Sequence, residues 1–80
     1  MESTEFAIKA FGQLQALIGD TAISVENVRD VKALRALLFR RYPTLASVPF
    51  RIAVNLKFVT DEHVLQPGDE IALMSPFSGG

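Results

Sequence analysis

The best place to look for chemistry in this chain is its last two residues, Gly79 and Gly80. If Gly80 is the natural end, the chain closes on a diglycine with a free carboxylate. Glycine has no Cβ, so its backbone passes where other residues clash. The run Pro76-Phe77-Ser78-Gly79-Gly80 therefore suits a thin probe that carries a carboxyl group into another protein's active site. Pro76 fixes one φ angle at the root of that probe and biases Ser75 toward an extended backbone. The competing reading is an ordinary glycine-tolerant chain end with no role.

Other chemical groups are scarce. His63 is the only histidine and there is no cysteine. That leaves no histidine pair for a metal, no thiol nucleophile, no thiolate ligand and no disulfide. His63 sits in the polar run Thr60-Asp61-Glu62-His63 and reads as a solvated loop residue. No glycine-rich loop could cradle a phosphate, so neither a bound cofactor nor a metal is expected. The chain is expected to be non-catalytic alone. Its formal net charge of −1 argues against general nucleic-acid binding, which takes a strongly basic face. Met1-Glu2-Ser3-Thr4-Glu5 lacks the basic segment and apolar run of a signal peptide. No apolar stretch approaches the ~18 residues of a membrane span. The lack of disulfides fits a cytoplasmic address.

The elements that must position the tail follow from periodicity. Phe6, Ile8 and Ala10 alternate with Glu5, Ala7 and Lys9, which predicts a half-buried first strand over 4–11. Leu14, Leu17 and Ile18 at helical spacing predict a short helix stopped at Gly19. Asp20-Thr21 turns the chain, and Thr21, Ile23 and Val25 alternate through a second strand. Asp30 is a candidate N-cap for a longer helix that carries Val31, Leu34, Leu38 and Tyr42 on one stripe, widened by Leu37. Lys32, Arg35, Arg40 and Arg41 lie off or beside that stripe and read as a solvated face, the alternative being a docking site for an acidic partner. Pro43 ends the helix. A connection over 44–49 leads to a third strand over 50–55 with Ile52 and Val54 inward, a turn at Leu56-Lys57, and a short edge strand from Phe58. Gln66-Pro67-Gly68-Asp69 is a type II turn signature. The last strand runs over 70–75 and delivers the tail. One helix on a mixed sheet is an α+β layer arrangement of the ubiquitin-like β-grasp kind. Residues 1–75 make the domain and 76–80 the tail. The first and last strands are expected to be adjacent and parallel.

The chain resembles the MoaD/ThiS family of sulfur carriers, in the branch of molybdopterin synthase small subunits, over nearly its whole length. The residues that carry the resemblance are Phe11-Gly12-Gln13-Leu14, Leu17-Ile18-Gly19, Val31-Lys32-Ala33-Leu34-Arg35, Ala53-Val54-Asn55 and Leu65-Gln66-Pro67-Gly68-Asp69-Glu70-Ile71-Ala72, ending in Ser75-Pro76-Phe77-Ser78-Gly79-Gly80. Three positions depart from the usual pattern: Ser75 replaces the first of two prolines, Phe77 stands for a smaller aliphatic, and Gln15 for a basic residue.

The resemblance implies that a ubiquitin-activating-type (MoeB-like) enzyme uses ATP to adenylate Gly80. A persulfide donor then converts Gly80 to a thiocarboxylate, whose anionic sulfur is nucleophilic for the reason thiolates are. It further implies insertion of Pro76, Phe77, Ser78 and Gly79 into a large catalytic (MoaE-like) subunit, within a heterotetramer, and attack on a cyclic pyranopterin to build a dithiolene. Docking of the body would use Phe11, Phe58 and Met74. Energetics agree that a body patch is needed. Ordering five tail residues costs ~5–10 kcal/mol at ~1–2 per residue, and burying Phe77 returns only ~1.5–3 kcal/mol. The opposing expectation is that the three apolar residues are simply core. The other functions left open are a carrier for thiazole synthesis, a ubiquitin-like modifier joined to lysines through Gly80, and a β-grasp binding module with an inert tail.

Overall fold

The computed structural model describes residues 4–19 and 22–76. Strand β1 (Glu5–Ala10) buries Phe6, Ile8 and Ala10 and exposes the residues between them, as alternation predicts. Helix α1 (Gln13–Ile18) buries Leu14 and Ile18 and ends at Gly19, whose φ of 78° is the left-handed cap that glycine takes without a Cβ penalty. Strand β2 (Ala22–Glu26) returns antiparallel to β1. The Asp20-Thr21 turn lies outside the described residues.

Helix α2 (Val31–Arg41) begins where Asp30 caps it. The Asp30 carboxylate accepts the Ala33 N–H at 2.9 Å. The Val31 N–H donates to the His63 carbonyl and the Lys32 N–H to the Asp61 carbonyl, both at 3.0 Å. The three free donors of the first turn, which have no partner inside a helix, are thus all taken. Val31, Leu34 and Leu38 are buried. Tyr42 is the C-cap, and Pro43 opens a 3₁₀ turn over Pro43–Ser47 that buries Leu45. That turn makes up most of the expected connection over 44–49.

Strands β3 (Arg51–Val54), β4 (Lys57–Phe58) and β5 (Ile71–Met74) complete the sheet. The order is β2-β1-β5-β3-β4. β5 is central, parallel to β1 and antiparallel to β3. The hairpin turn falls on Asn55 and Leu56, one residue earlier than expected. Gly68 has a φ of 90° in the Gln66–Asp69 turn, closed by the Asp69 N–H donating to the Gln66 carbonyl at 3.0 Å. Ile8, Ile52, Ile71 and Leu73 from the sheet join Val31, Leu34 and Leu38 from α2 in one core, to which α1 adds Leu14 and the 3₁₀ turn adds Leu45. Among the described residues every buried one is apolar. This is an α+β mixed sheet of five strands with one main helix across a face.

The basic residues of α2 are not one solvated surface. Arg35 is half-buried and its Nε lies 3.1 Å from the Asp61 carboxylate. Arg41 donates to the Ser24 carbonyl at 3.0 Å, holding the helix to β2. His63 is half-buried rather than solvated. No helix among the described residues is long and apolar enough to cross a membrane.

Candidate functional site

Packing α2 on one face of the sheet leaves the other without a helix among the described residues. Alternation assigns its residues: Glu5, Ala7 and Lys9 from β1, Arg51 and Ala53 from β3, Ala72 and Met74 from β5. Lys9, Ala72, Ala53 and Phe58 fall in one row across four strands. Alanine projects little from a sheet, so Ala7, Ala53 and Ala72 make a low floor. Phe11, Leu56, Phe58 and Met74 supply apolar walls. The result is an open groove of about 580 Å³.

The groove is polarised. Because β1 and β5 are parallel, Phe11 and Met74 mark the end from which the chain leaves toward Pro76. Lys9 is the cation of the lining, opposite Ala72, and Arg51 borders the groove at the tail end, opposite Met74. Glu5, Asp69 and Glu70 gather at the other end. The Arg51 guanidinium carbon lies 3.8 Å from the centre of the Phe58 ring, a cation–π stack of the favourable kind.

The far end is set by a turn clamp. Asn55 and Leu56 both have positive φ, 52° and 70°, the pattern of a type I′ hairpin turn. Asparagine accepts that region readily; leucine does so at a cost of about 1–2 kcal/mol. The Asn55 side-chain amide donates to Asp69 Oδ1 and its Oδ1 accepts the Glu70 N–H, each at 2.9 Å. Asp69 Oδ2 accepts the Gln66 N–H at 2.8 Å. The Gln66 N–H, and then the Asn55 amide, hold the Asp69 carboxyl below the usual carboxylate range. The clamp ties both turns together and leaves Leu56 with 95% of its surface in solvent.

Phe11 and Phe58 are 48% and 38% exposed and Met74 is half-buried. All three line the groove and none belongs to the buried core. Pro76 is exposed two residues past β5. Phe77, Ser78, Gly79 and Gly80 lie outside the described residues. The sequence reading missed Leu56, the alanine floor and Arg51. Leu56 was hidden by its place in a turn, and the signal for Arg51 was its alternation with Ile52. Among the described residues no group of three or more histidines, cysteines or acids is placed to hold a metal.

A central strand parallel to the first, one helix across the sheet and a free opposite face define a ubiquitin-like β-grasp protein. The ThiS family model matches residues 8–80. The chain belongs to the ThiS family, sulfur carriers of the ThiS/MoaD type. Among solved structures it is similar to the Pyrococcus furiosus chain assigned as molybdopterin converting factor, subunit 1, with a TM-score of 0.84 and 20% identity over 91% of this chain and 98% of that one. Small archaeal modifier protein 1 from Methanosarcina acetivorans matches with a TM-score of 0.80 and 23% identity over 100% of both chains. A chain from the complex of subunits 1 and 2 of the molybdopterin-converting factor of Helicobacter pylori 26695 matches with a TM-score of 0.70 and 26% identity over 95% and 99%.

Proposed function

We propose that this protein is the sulfur carrier subunit of a molybdopterin synthase, with Gly80 as the acyl group that carries sulfur. The observation that carries the reading is the apolar groove, which ends at Met74, two residues before the tail begins. A carrier must hold its partner by the body while the tail reaches the chemistry, and this groove is placed for that. The family match running through Gly80 supports the tail's role. The Helicobacter pylori complex supports a large-subunit partner.

The carboxylate of Gly80 is a poor electrophile, since its charge repels nucleophiles. Adenylation by a ubiquitin-activating-type enzyme, with ATP consumed and pyrophosphate released, makes it a mixed anhydride. The terminal sulfur of a persulfide attacks the acyl carbon and AMP leaves. A thiol then cleaves the sulfur–sulfur bond, and the thiocarboxylate remains on Gly80. Inside the large subunit that sulfur displaces an oxygen substituent from a carbon of the pyranopterin precursor, water hydrolyses the acyl–sulfur bond to return Gly80 as a carboxylate, and two such deliveries complete a dithiolene. The acid–base and substrate-binding groups belong to the large subunit, and the compartment is the cytoplasm.

The expected result is an intact mass in which one oxygen is replaced by sulfur after incubation with the activating enzyme, ATP and a persulfide donor. Deleting Gly80 abolishes this and leaves the melting temperature nearly unchanged, because a chain terminus contributes little to a packed core. Full sulfur delivery by the deletion variant refutes the role. The second reading is protein modification, favoured by the full-length match to an archaeal modifier protein. Conjugates of this chain on lysines, in place of a complex with a pterin-binding subunit, decide for it.

A further inference from the structure

Among the described residues two arginines, Arg35 and Arg51, lie over phenylalanine rings, and they differ in one respect. The Arg35 guanidinium carbon is 5.3 Å from the centre of Phe50, and its Nε meets the Asp61 carboxylate at 3.1 Å. Arg51 has the ring of Phe58 at 3.8 Å but no acid of the described chain. With one flat face against the ring, its N–H fork is held ready in the guanidinium plane. A fork of that kind fits a carboxylate by two parallel hydrogen bonds. Arg51 is exposed and stands opposite Met74, where β5 delivers the tail.

Docking changes this residue's surroundings. A partner that covers Phe58 and Met74 also covers Arg51 and removes its water. A cation desolvated without an acceptor is costly, so the covering surface has to bring one. The polarity of this face says which kind: Lys9 lines the groove and Arg51 borders its tail end, opposite Met74 and stacked on Phe58, while the lining acids Glu5, Asp69 and Glu70 lie at the other end.

We propose that Arg51 is a docking residue that takes a carboxylate of the large subunit, fixing the groove's orientation next to the tail. This rests on the sulfur-carrier reading above and names a recognition contact within it. Phe58 then has two tasks, filling the apolar contact and holding the guanidinium flat.

The test is titration of the purified cognate large subunit with the wild type, Arg51→Gln, Arg51→Glu and Phe58→Leu, at low and high salt, with thermal melts on the same samples. All four chains are expected to melt together, since Arg51 is outside the core. Arg51→Gln is expected to weaken binding about thirtyfold or more, as for one lost member of a buried, hydrogen-bonded charge pair. Its affinity should also depend less on salt. Arg51→Glu should bind more weakly still. Phe58→Leu, which keeps apolar bulk and loses the ring, should lose affinity yet keep the wild-type salt dependence. Wild-type affinity in Arg51→Gln, or an unchanged salt slope, overturns the proposal. A wild type that does not bind the large subunit overturns the synthase reading itself, and the proposal with it.

Discussion

Asp69 shows how much one carboxylate can organise. Its two oxygens accept from the Gln66 N–H and from the Asn55 amide, so it joins the turn before β5 to the turn between β3 and β4. Both bonds favour the charged form, and the folded-state pKa is depressed. The sign follows: the stabilisation is fully present above the unfolded value of about 3.9 and fades as pH falls through the lower folded one. Asp69→Asn keeps the shape but offers one acceptor in place of two. It should therefore melt below the wild type at neutral pH, with the gap closing as pH drops below about 4. Melting curves across pH check this; a gap independent of pH would mean that the charge is irrelevant. Because Asn55 holds the positive φ preceding Leu56, the same clamp supports the strained leucine at the groove's rim.

At the scale of elements, helix α2 depends on residues from two parts of the chain. Asp30 caps it from its own segment, while the carbonyls of Asp61 and His63 reach it from the loop before β5. Asp30→Ala should cost about 1 kcal/mol, seen as a fall of about 4–8 °C in melting temperature for a domain of this size. The cap was legible in sequence because an acid directly before an apolar stripe has a local mechanism. So were β1, whose strict alternation has one reading, and the Gln66–Asp69 turn, where proline and glycine each fix a dihedral. The 3₁₀ turn at Pro43–Ser47 was not legible, since five residues are too few for a period and only Leu45 is buried in it. Nor was the helix's second anchor, which consists of backbone carbonyls and leaves no mark in residue types. The β3–β4 turn was displaced by one residue for a similar reason: leucine at a positive φ contradicts local preference, and the clamp from Asp69 overrides it.

At the scale of the molecule, the two faces of the sheet are separate regions. The covered face holds the apolar core; the free face holds the groove. That division predicts opposite fates for neighbouring residues on β5. Met74→Asp should stay folded with a melting temperature near wild type, because Met74 is half-buried on the free face and Arg51 stands opposite to receive the new charge. Its affinity for the proposed large subunit should fall, since the groove gains a charge and Arg51 is engaged internally. Leu73→Asp, one residue away and wholly buried, should unfold the domain. Thermal melting and calorimetric titration on the same samples separate the two; a Met74→Asp chain that unfolds would return Met74 to the core. The groove residues Phe11, Phe58 and Met74 could be named from sequence, but their meeting could not. It depends on β5 lying between β1 and β3, a long-range pairing that no local pattern encodes.

The central place of β5 also has a mechanical consequence. Load applied through the tail enters the sheet along β5, which is hydrogen-bonded on both sides, parallel to β1 and antiparallel to β3. Load applied at the other terminus enters along β1. Because those two strands lie side by side and parallel, a pull between the ends drives them past each other lengthwise. Many hydrogen bonds are then strained together in shear, whereas a pull across the sheet would break them one after another. A tail that works as proposed, drawn into a partner's active site and later pulled free, would thus be attached where this sheet best withstands traction.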